Sequence, residues 1–389
     1  MRRTCCSLMI FSFLITTHIW GTTSQGGRGL IYVHSARVIP KGYLEFYGGT
    51  RFYGKIANFG GARKAYTLWN VQGFTSFNYG LNPHIELAVS PILYQDTNSN
   101  RGNILDGQAN FPDDILLSVK VGSMGALESP YLFGGMLYTR IPTAQQHNII
   151  YEPYSAGSIE LGFTGLISYF SNTTFPAEGW SIHGNLGYLS HNDVGRELTE
   201  SPDDIAPQSM SSEILFGIGI RYPAGTFDFS GEITARYFLA EPPITAYSRE
   251  YVSYLTAGVY YKPYPWVTFE MGVDVRFISE QDLSEYSPIT QLSPPPTEDF
   301  PNYPSWRGLL GVKLTILPTY LRSSSEKALL EKKALDRRSI LERMMKEQQD
   351  TKDAESELAR IRAERKKVEE ELMRLRKLLE AEKKKKKKE

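Results

Sequence analysis

Residues 69–92 read WNVQGFTSFNYGLNPHIELAVSPI. Trp69, Val71, Thr75, Phe77 and Tyr79 share one parity, and Asn70, Gln72, Ser76 and Asn78 the other, interrupted only by Phe74. Beyond GLNP, Ile85, Leu87 and Val89 oppose His84, Glu86 and Ser90. Side chains of a strand alternate between its two faces, so the spacing predicts a β-hairpin with one apolar and one polar face. Gly80, Asn82 and Pro83 supply the backbone that its short turn needs. A soluble sandwich produces such a hairpin, and so does a membrane barrel. The remainder of the chain separates the two.

Strand-like alternation recurs in twelve segments, near 42–54, 66–79, 84–95, 114–123, 130–142, 157–171, 179–191, 211–222, 226–240, 250–262, 266–279 and 305–317. In TFDFSGEITARYFL, Phe227, Phe229, Ile233, Ala235, Tyr237 and Leu239 oppose Asp228, Ser230, Glu232, Thr234 and Arg236. The connections run long, short, long, short. GKIANFGGARKA, DTNSNRGNILDGQANFPD, NDVGRELTESPDDIAPQSM and SEQDLSEYSPITQLSPPPTEDFPNYP are long, whereas GLNP, MGALES, YPAG and KPYP are short. Sorted loops and an even strand count mark outer-membrane barrels, and a sandwich has no reason for such sorting. Aromatics sit near strand ends at Trp69, Tyr79, Tyr94, Tyr131, Trp180, Tyr222, Tyr251, Tyr264, Trp266 and Trp306, as an interfacial belt requires. The segments are also long enough to cross a bilayer at a tilt. An open sheet edge cannot hydrogen-bond to lipid, so closure is obligatory there.

On these features residues 41–320 resemble the bacterial outer-membrane β-barrel class, porin or channel-like. WRGLLGVKLTI, through Gly311, Leu314 and Ile316, is partly similar to a barrel-assembly signal, but it does not end the chain. The expected fold is therefore a transmembrane barrel of about twelve antiparallel strands with an α-helical or coiled-coil tail. The expected divisions are a signal peptide over 1–24, a periplasmic lead or plug over 25–40, the barrel over 41–321 and the tail over 322–389.

The terminal segments support that division. Arg2 and Arg3, then an apolar run from Leu8 to Ile15, then smaller residues, form the layout of a secretory signal, with cleavage after Gly21 or Ser24. Cys5 and Cys6, the two cysteines of the chain, would leave with it. Residues 26–40 precede the first strand, and an even strand count favours a plug or lead over a thirteenth strand. Residues 322–389 carry 23 basic and 16 acidic residues, net +7, which leaves a body of net −7 under a neutral total. In the tail, Ala354, Leu358, Ile361, Arg365, Val368, Leu372, Leu375 and Leu379 step by four and three. That is a heptad seam with an arginine at one core position. The bland reading is a long solvated helix; the sharper one is self-association. The terminal lysine tract would attract an anionic cell wall or lipid headgroups, and an exported chain is not expected to meet nucleic acid.

The polar face predicts a lumen lined by Glu45, Arg51, Glu86, Lys120, Arg140, Glu160, His183, Glu213, Arg221, Asp228, Glu232, Arg236, Glu270, Asp274, Arg276, Arg307 and Lys313. Charges of both signs suit either a channel wall or a salt-bridge network that packs a closed barrel. Their balance argues against strong ion selectivity unless the charges segregate by height. Ser181 and His183 share a strand face, with Asn185 beyond, a spacing that permits a nucleophile and its base. A polar lumen strand explains the same residues. His34, His84, His147 and His191 fall in different elements without metal-ligand spacing, no phosphate-binding glycine loop is present, and no cofactor is expected. The leading expectation is passive passage of small polar solutes by a protein of the outer membrane with its tail in the periplasm. The alternatives are a structural anchor acting through the tail and an outer-membrane hydrolase using Ser181 and His183.

Overall fold

A computed structural model describes residues 22–58, 65–99, 108–126, 129–148, 152–199, 204–278, 283–284 and 302–319, with scattered positions from 321 onward. The chain divides into two units, Met1–Ser323 and Ser324–Glu389. The first is built from β1 (Leu44–Asn58), β2 (Ala65–Asn82), β3 (Ile85–Ser99), β4 (Gln108–Asn110), β5 (Ile115–Met124), β6 (Tyr131–Ile141) and β7 (Glu160–Phe170). It continues through β8 (Ser181–Ser190), β9 (Ser212–Ala224), β10 (Phe227–Ala240), β11 (Val252–Tyr264), β12 (Val267–Arg276) and β13 (Trp306–Leu317). Every pairing is antiparallel and joins strands that follow one another along the chain, except that β5 pairs with β3 past the short β4 and that β1 pairs with both β2 and β13, which closes the sheet. Twelve long strands thus form a barrel.

The three-residue β4 lies where the sequence suggested only loop. β5 covers β3 from Ile85 to Pro91, and β4 pairs the next stretch, Gln95–Thr97, whose edge would otherwise be open. In β3 the register against β2 steps between Gly73 and Phe74, so Gln95 turns inward although Leu93 and Tyr94 face out. A bulge of this kind adds one residue and reverses the parity beyond it.

Burial is inverted relative to a soluble fold. Phe77, Tyr79, Leu87, Val89, Phe163, Leu186, Phe229, Met271 and Val273 are exposed, while Asn78, Glu86, Lys120, Glu213, Arg221 and Asp274 are buried. A sandwich would bury the first set, so the alternation belongs to a barrel whose outer face meets lipid. Phe74, the one aromatic on the polar parity, is buried inside and packs 5.8 Å from Tyr47. At the short-turn end, Tyr169 lies 5.1 Å from Trp180 and Tyr264 lies 6.0 Å from Trp266, forming part of an aromatic belt. No helix among the described residues is long and apolar enough to cross a membrane.

Residues 22–39 run through the interior. Two isolated bridges, Thr22 with Arg28 and Gly29 with His34, are their own regular pairing. Further backbone bonds close turns within the segment, such as Ser24 N–H to the Ile31 carbonyl and Leu30 N–H to the Val33 carbonyl, and other backbone groups find the barrel wall. Glu232 accepts from the backbone N–H of Ile31, Tyr32 and Val33 at 2.8, 2.9 and 2.8 Å. Glu86 accepts from Arg28 and Ile39, both at 2.7 Å. Asn185 accepts from His34 N–H and donates back to His34 O, and Ser168 accepts from Ala36. The apolar anchor is Ile31, fully buried against Tyr47, Phe74, Tyr260 and Leu309. Gly258 and Gly272 make its seat, since a Cβ on either would stand 2.8 or 2.7 Å from Ile31 Cδ1. Thr22 and Thr23, which cleavage after Ser24 would remove, are also fully buried.

Candidate functional site

The inner wall brings together most of the charges on the polar parity, and it does so in pairs. Near the short-turn end, Lys313 meets Glu45 at 2.7 Å and Lys120 meets Glu86 at 3.1 Å. Asp228 binds Arg221 through one oxygen and Lys262 through the other, at 2.7 and 2.6 Å. Toward the long loops, Arg140 meets Asp114, Arg236 meets Glu213 and Arg307 meets Asp274. Glu270 accepts from Tyr47 Oη at 2.7 Å, and Arg276 donates to the Tyr303 carbonyl. Arg51 donates to Gln72 and lies over the Phe74 ring. Lys262 and Asp114 keep the inward parity of Tyr260 and Lys120, but they stand at strand margins, where KPYP reads as a turn and FPDD as the end of a loop.

Between this wall and the buried segment lies a cavity of about 150 Å³. Tyr32, Val33 and His34 line it from the segment, and Arg51, Arg236 and Arg307 from the strands. Pro153 and Tyr303 line it from the long-loop end.

Loop residues close over that end around His191, which is fully buried. Its Nδ1 lies 2.9 Å from Glu160 and its Nε2 lies 3.2 Å from Glu213. Only the imidazolium carries a proton for both carboxylates. Burial alone would lower its pKa, but the hydrogen bonds to Glu160 and Glu213 raise it to about 9. Tyr154 stacks edge-on at 4.7 Å and donates to Asp193 at 2.7 Å, and Arg236 shares Glu213. A histidine raised above its ordinary value of about 6.5 contributes stability below that pH and loses it as pH climbs through the folded value. The contribution here is of the order of 3 kcal/mol. Amide exchange across residues 191–199, corrected for intrinsic rates, should therefore accelerate between about pH 6.5 and 9. His191→Asn should flatten that dependence, and a dependence unchanged in the variant would assign it elsewhere.

Ser181 and His183 are also brought together, with Oγ 3.0 Å from Nε2. The expected third member is not. Asn185 is committed to the backbone of His34, and His183 Nδ1 instead meets Ser168 Oγ at 2.8 Å. Both Ser181 and His183 are fully buried, facing inward, away from the lipid a membrane hydrolase would cleave. His84 lies 3.1 Å from the Gly122 carbonyl, and His147 lies 3.9 Å from Asp114. Among the described residues no group of three or more His, Cys, Asp or Glu could hold a metal ion.

The seam residues Leu358, Ile361, Val368, Leu372, Leu375 and Leu379 lie outside the described residues. Arg365 is described: it is exposed and pairs with Glu369 at 3.2 Å.

An inverted, closed, twelve-strand barrel with sorted loops belongs to the outer-membrane β-barrel class, and its exposed apolar face supports that location. Among solved structures, the chain is similar to outer-membrane porins and channels. The NanC porin is 10% identical with a TM-score of 0.41, over 70% of this chain and 98% of that one. An outer membrane channel of Pseudomonas putida F1 is 10% identical with a TM-score of 0.46, over 72% and 98%. The TodX monoaromatic hydrocarbon channel is 9% identical with a TM-score of 0.37, over 76% and 95%. No protein-family model matches the chain, and no curated protein matches its sequence.

Proposed function

We propose that the protein is an outer-membrane channel for small polar solutes, closed at rest by its own residues 22–39. One observation carries this reading. The segment is held to the wall chiefly by side chains, those of Glu232, Glu86, Asn185 and Ser168, with one backbone bond from Ser123 N–H to the Ala36 carbonyl, and its other backbone bonds are internal to it. It can leave without breaking any ladder of the barrel. The even strand count directs both ends of the barrel toward the periplasm, so a displaced segment and the basic tail would share that compartment.

A covalent lock tests the gate. A Cβ built on Gly219 stands 3.4 Å from Val33 Cβ. Disulfides hold their Cβ atoms about 3.5–4.5 Å apart, so Val33→Cys with Gly219→Cys can bridge the segment to β9. In a planar bilayer the reduced double variant should show discrete conductance steps, the oxidised form should be silent, and dithiothreitol should restore the steps. Equal conductance in both forms would remove the segment from gating. Silence in both, with insertion demonstrated, would favour a structural anchor whose tail binds the anionic cell wall or a second copy.

A further inference from the structure

The charge balance of the interior does not extend to the cavity. Among the described residues three guanidinium groups line it, those of Arg51, Arg236 and Arg307, and no carboxylate does. The carboxylates stand behind the arginines. Glu213 takes Nε and Nη2 of Arg236 at 2.7 and 2.6 Å, and Asp274 takes Nε and Nη2 of Arg307 at 3.0 and 2.9 Å. Each engages one edge of a fork that has five N–H donors, and the other edge stays available. Arg236 keeps 22% of its side chain accessible. Arg51 differs again, because its described acceptor is the neutral amide of Gln72. Glu152, the carboxylate nearest that amide, accepts from Gln72 Nε2 at 3.0 Å and does not line the cavity. The surface that a solute meets is therefore cationic, although the wall as a whole is neutral.

Val33, Met136, Leu215, Val252 and the rings of Tyr32 and Tyr254 give the cavity an apolar and aromatic side, and the neutral polar groups of Gln25, Thr164, Asn185 and Thr234 complete it with His34. A volume of about 150 Å³ matches that of a protein cavity known to hold benzene. Guanidinium forks recognise planar carboxylates through two parallel hydrogen bonds, and do so most strongly away from bulk water.

We propose that this cavity binds a ring-sized organic carboxylate, held by Arg51, Arg236 and Arg307 above the floor made by Tyr32 and Val33. As a transport site it rests on the channel reading; as a binding site it does not. Selectivity then arises from height. Anions are chosen where the arginines face the lumen, and the paired charges below contribute none.

The test is equilibrium dialysis of the full mature chain in a non-ionic detergent, with uptake by empty micelles subtracted. Benzoate, benzyl alcohol and benzylammonium share a ring and differ in charge. Benzoate should bind at least roughly tenfold more tightly than either of the others, the ratio expected from one charge-assisted hydrogen bond. Arg51→Gln is the informative variant, since its described hydrogen-bond acceptor is an amide. It should weaken benzoate roughly tenfold and leave benzyl alcohol unchanged. Equal binding of benzoate and benzylammonium, or a benzoate affinity untouched by Arg51→Gln, would overturn the proposal. Conductance separates the two readings. Gated steps without benzoate binding would sink this site alone, and benzoate binding in a chain that never conducts would sink the channel alone.

Discussion

Glu232→Gln should raise the open fraction of the channel roughly a hundredfold and leave the barrel folded. One carboxylate accepts three successive backbone N–H groups, from Ile31, Tyr32 and Val33. An amide of the same shape keeps one acceptor oxygen and turns its own N–H₂ toward at least one of those donors. A hydrogen bond to a charged acceptor contributes about 1.5–3 kcal/mol, so losing one or two costs about 3 kcal/mol, roughly a factor of one hundred in the equilibrium. The segment nonetheless stays docked most of the time. Leu30, Ile31 and Ile39 remain buried, and each such side chain contributes about 1.5–3 kcal/mol. The barrel is spared because Glu232 is tied into its ladder by backbone, opposite Gly219 and Thr256. Open probability in a bilayer, compared between wild type and variant over long records, is the measurement. An open probability that stays at the wild-type level, in channels that do conduct, would mean that docking at Glu232 does not set the gate.

Period-two alternation made the barrel legible because lipid outside and polar side chains inside impose opposite demands on adjacent residues. Phe227, Phe229 and Ile233 had to face one solvent, and Asp228, Ser230 and Glu232 the other. Loop lengths then told a long-loop end from a short-turn end. The path of residues 22–39 was not legible, because it has almost no regular structure and so no period. Its signals are dispersed over distant strands. Gly258 and Gly272 are unremarkable as single glycines, and only their common approach to Ile31 explains why neither carries a side chain. Glu232 and Glu86 likewise read as ordinary polar wall, and Asn185 as the neighbour of Ser181 and His183. The cavity was hidden for a related reason. Counting charges treats Arg236 and Glu213 as equals, whereas geometry sets one in front of the other. The Ser181 and His183 pair was the reverse case. Spacing correctly brought them within 3.0 Å, whereas it could not show that both are buried and that Asn185 is engaged by the backbone of His34.

Asp228→Ala should be the most destabilising single change in the wall, costing about 3–5 kcal/mol. Asp228 is 2% exposed and serves two cations at once, Arg221 at 2% and Lys262 at 7%. Arg221 is further tied to the Ala177 carbonyl at 3.3 Å, so it cannot readily swing away. Removing the carboxylate leaves two buried cations facing each other, and their desolvation is then uncompensated. Urea unfolding followed by the mobility of the unheated barrel on a gel would measure the loss. Lys262→Met in the same chain should restore part of it by removing one orphaned charge. The magnitude also reports on the lumen. In a dry interior the full cost is expected; in a water-filled one, hydration of Arg221 and Lys262 would reduce it below about 1 kcal/mol, as for an exposed pair. The two variants should therefore couple. If Glu232→Gln frees the segment and admits water, Asp228→Ala should cost less in that background than alone, a departure from additivity that contact between the two residues does not explain. Strict additivity would mean that undocking the segment does not wet the ion pairs below it.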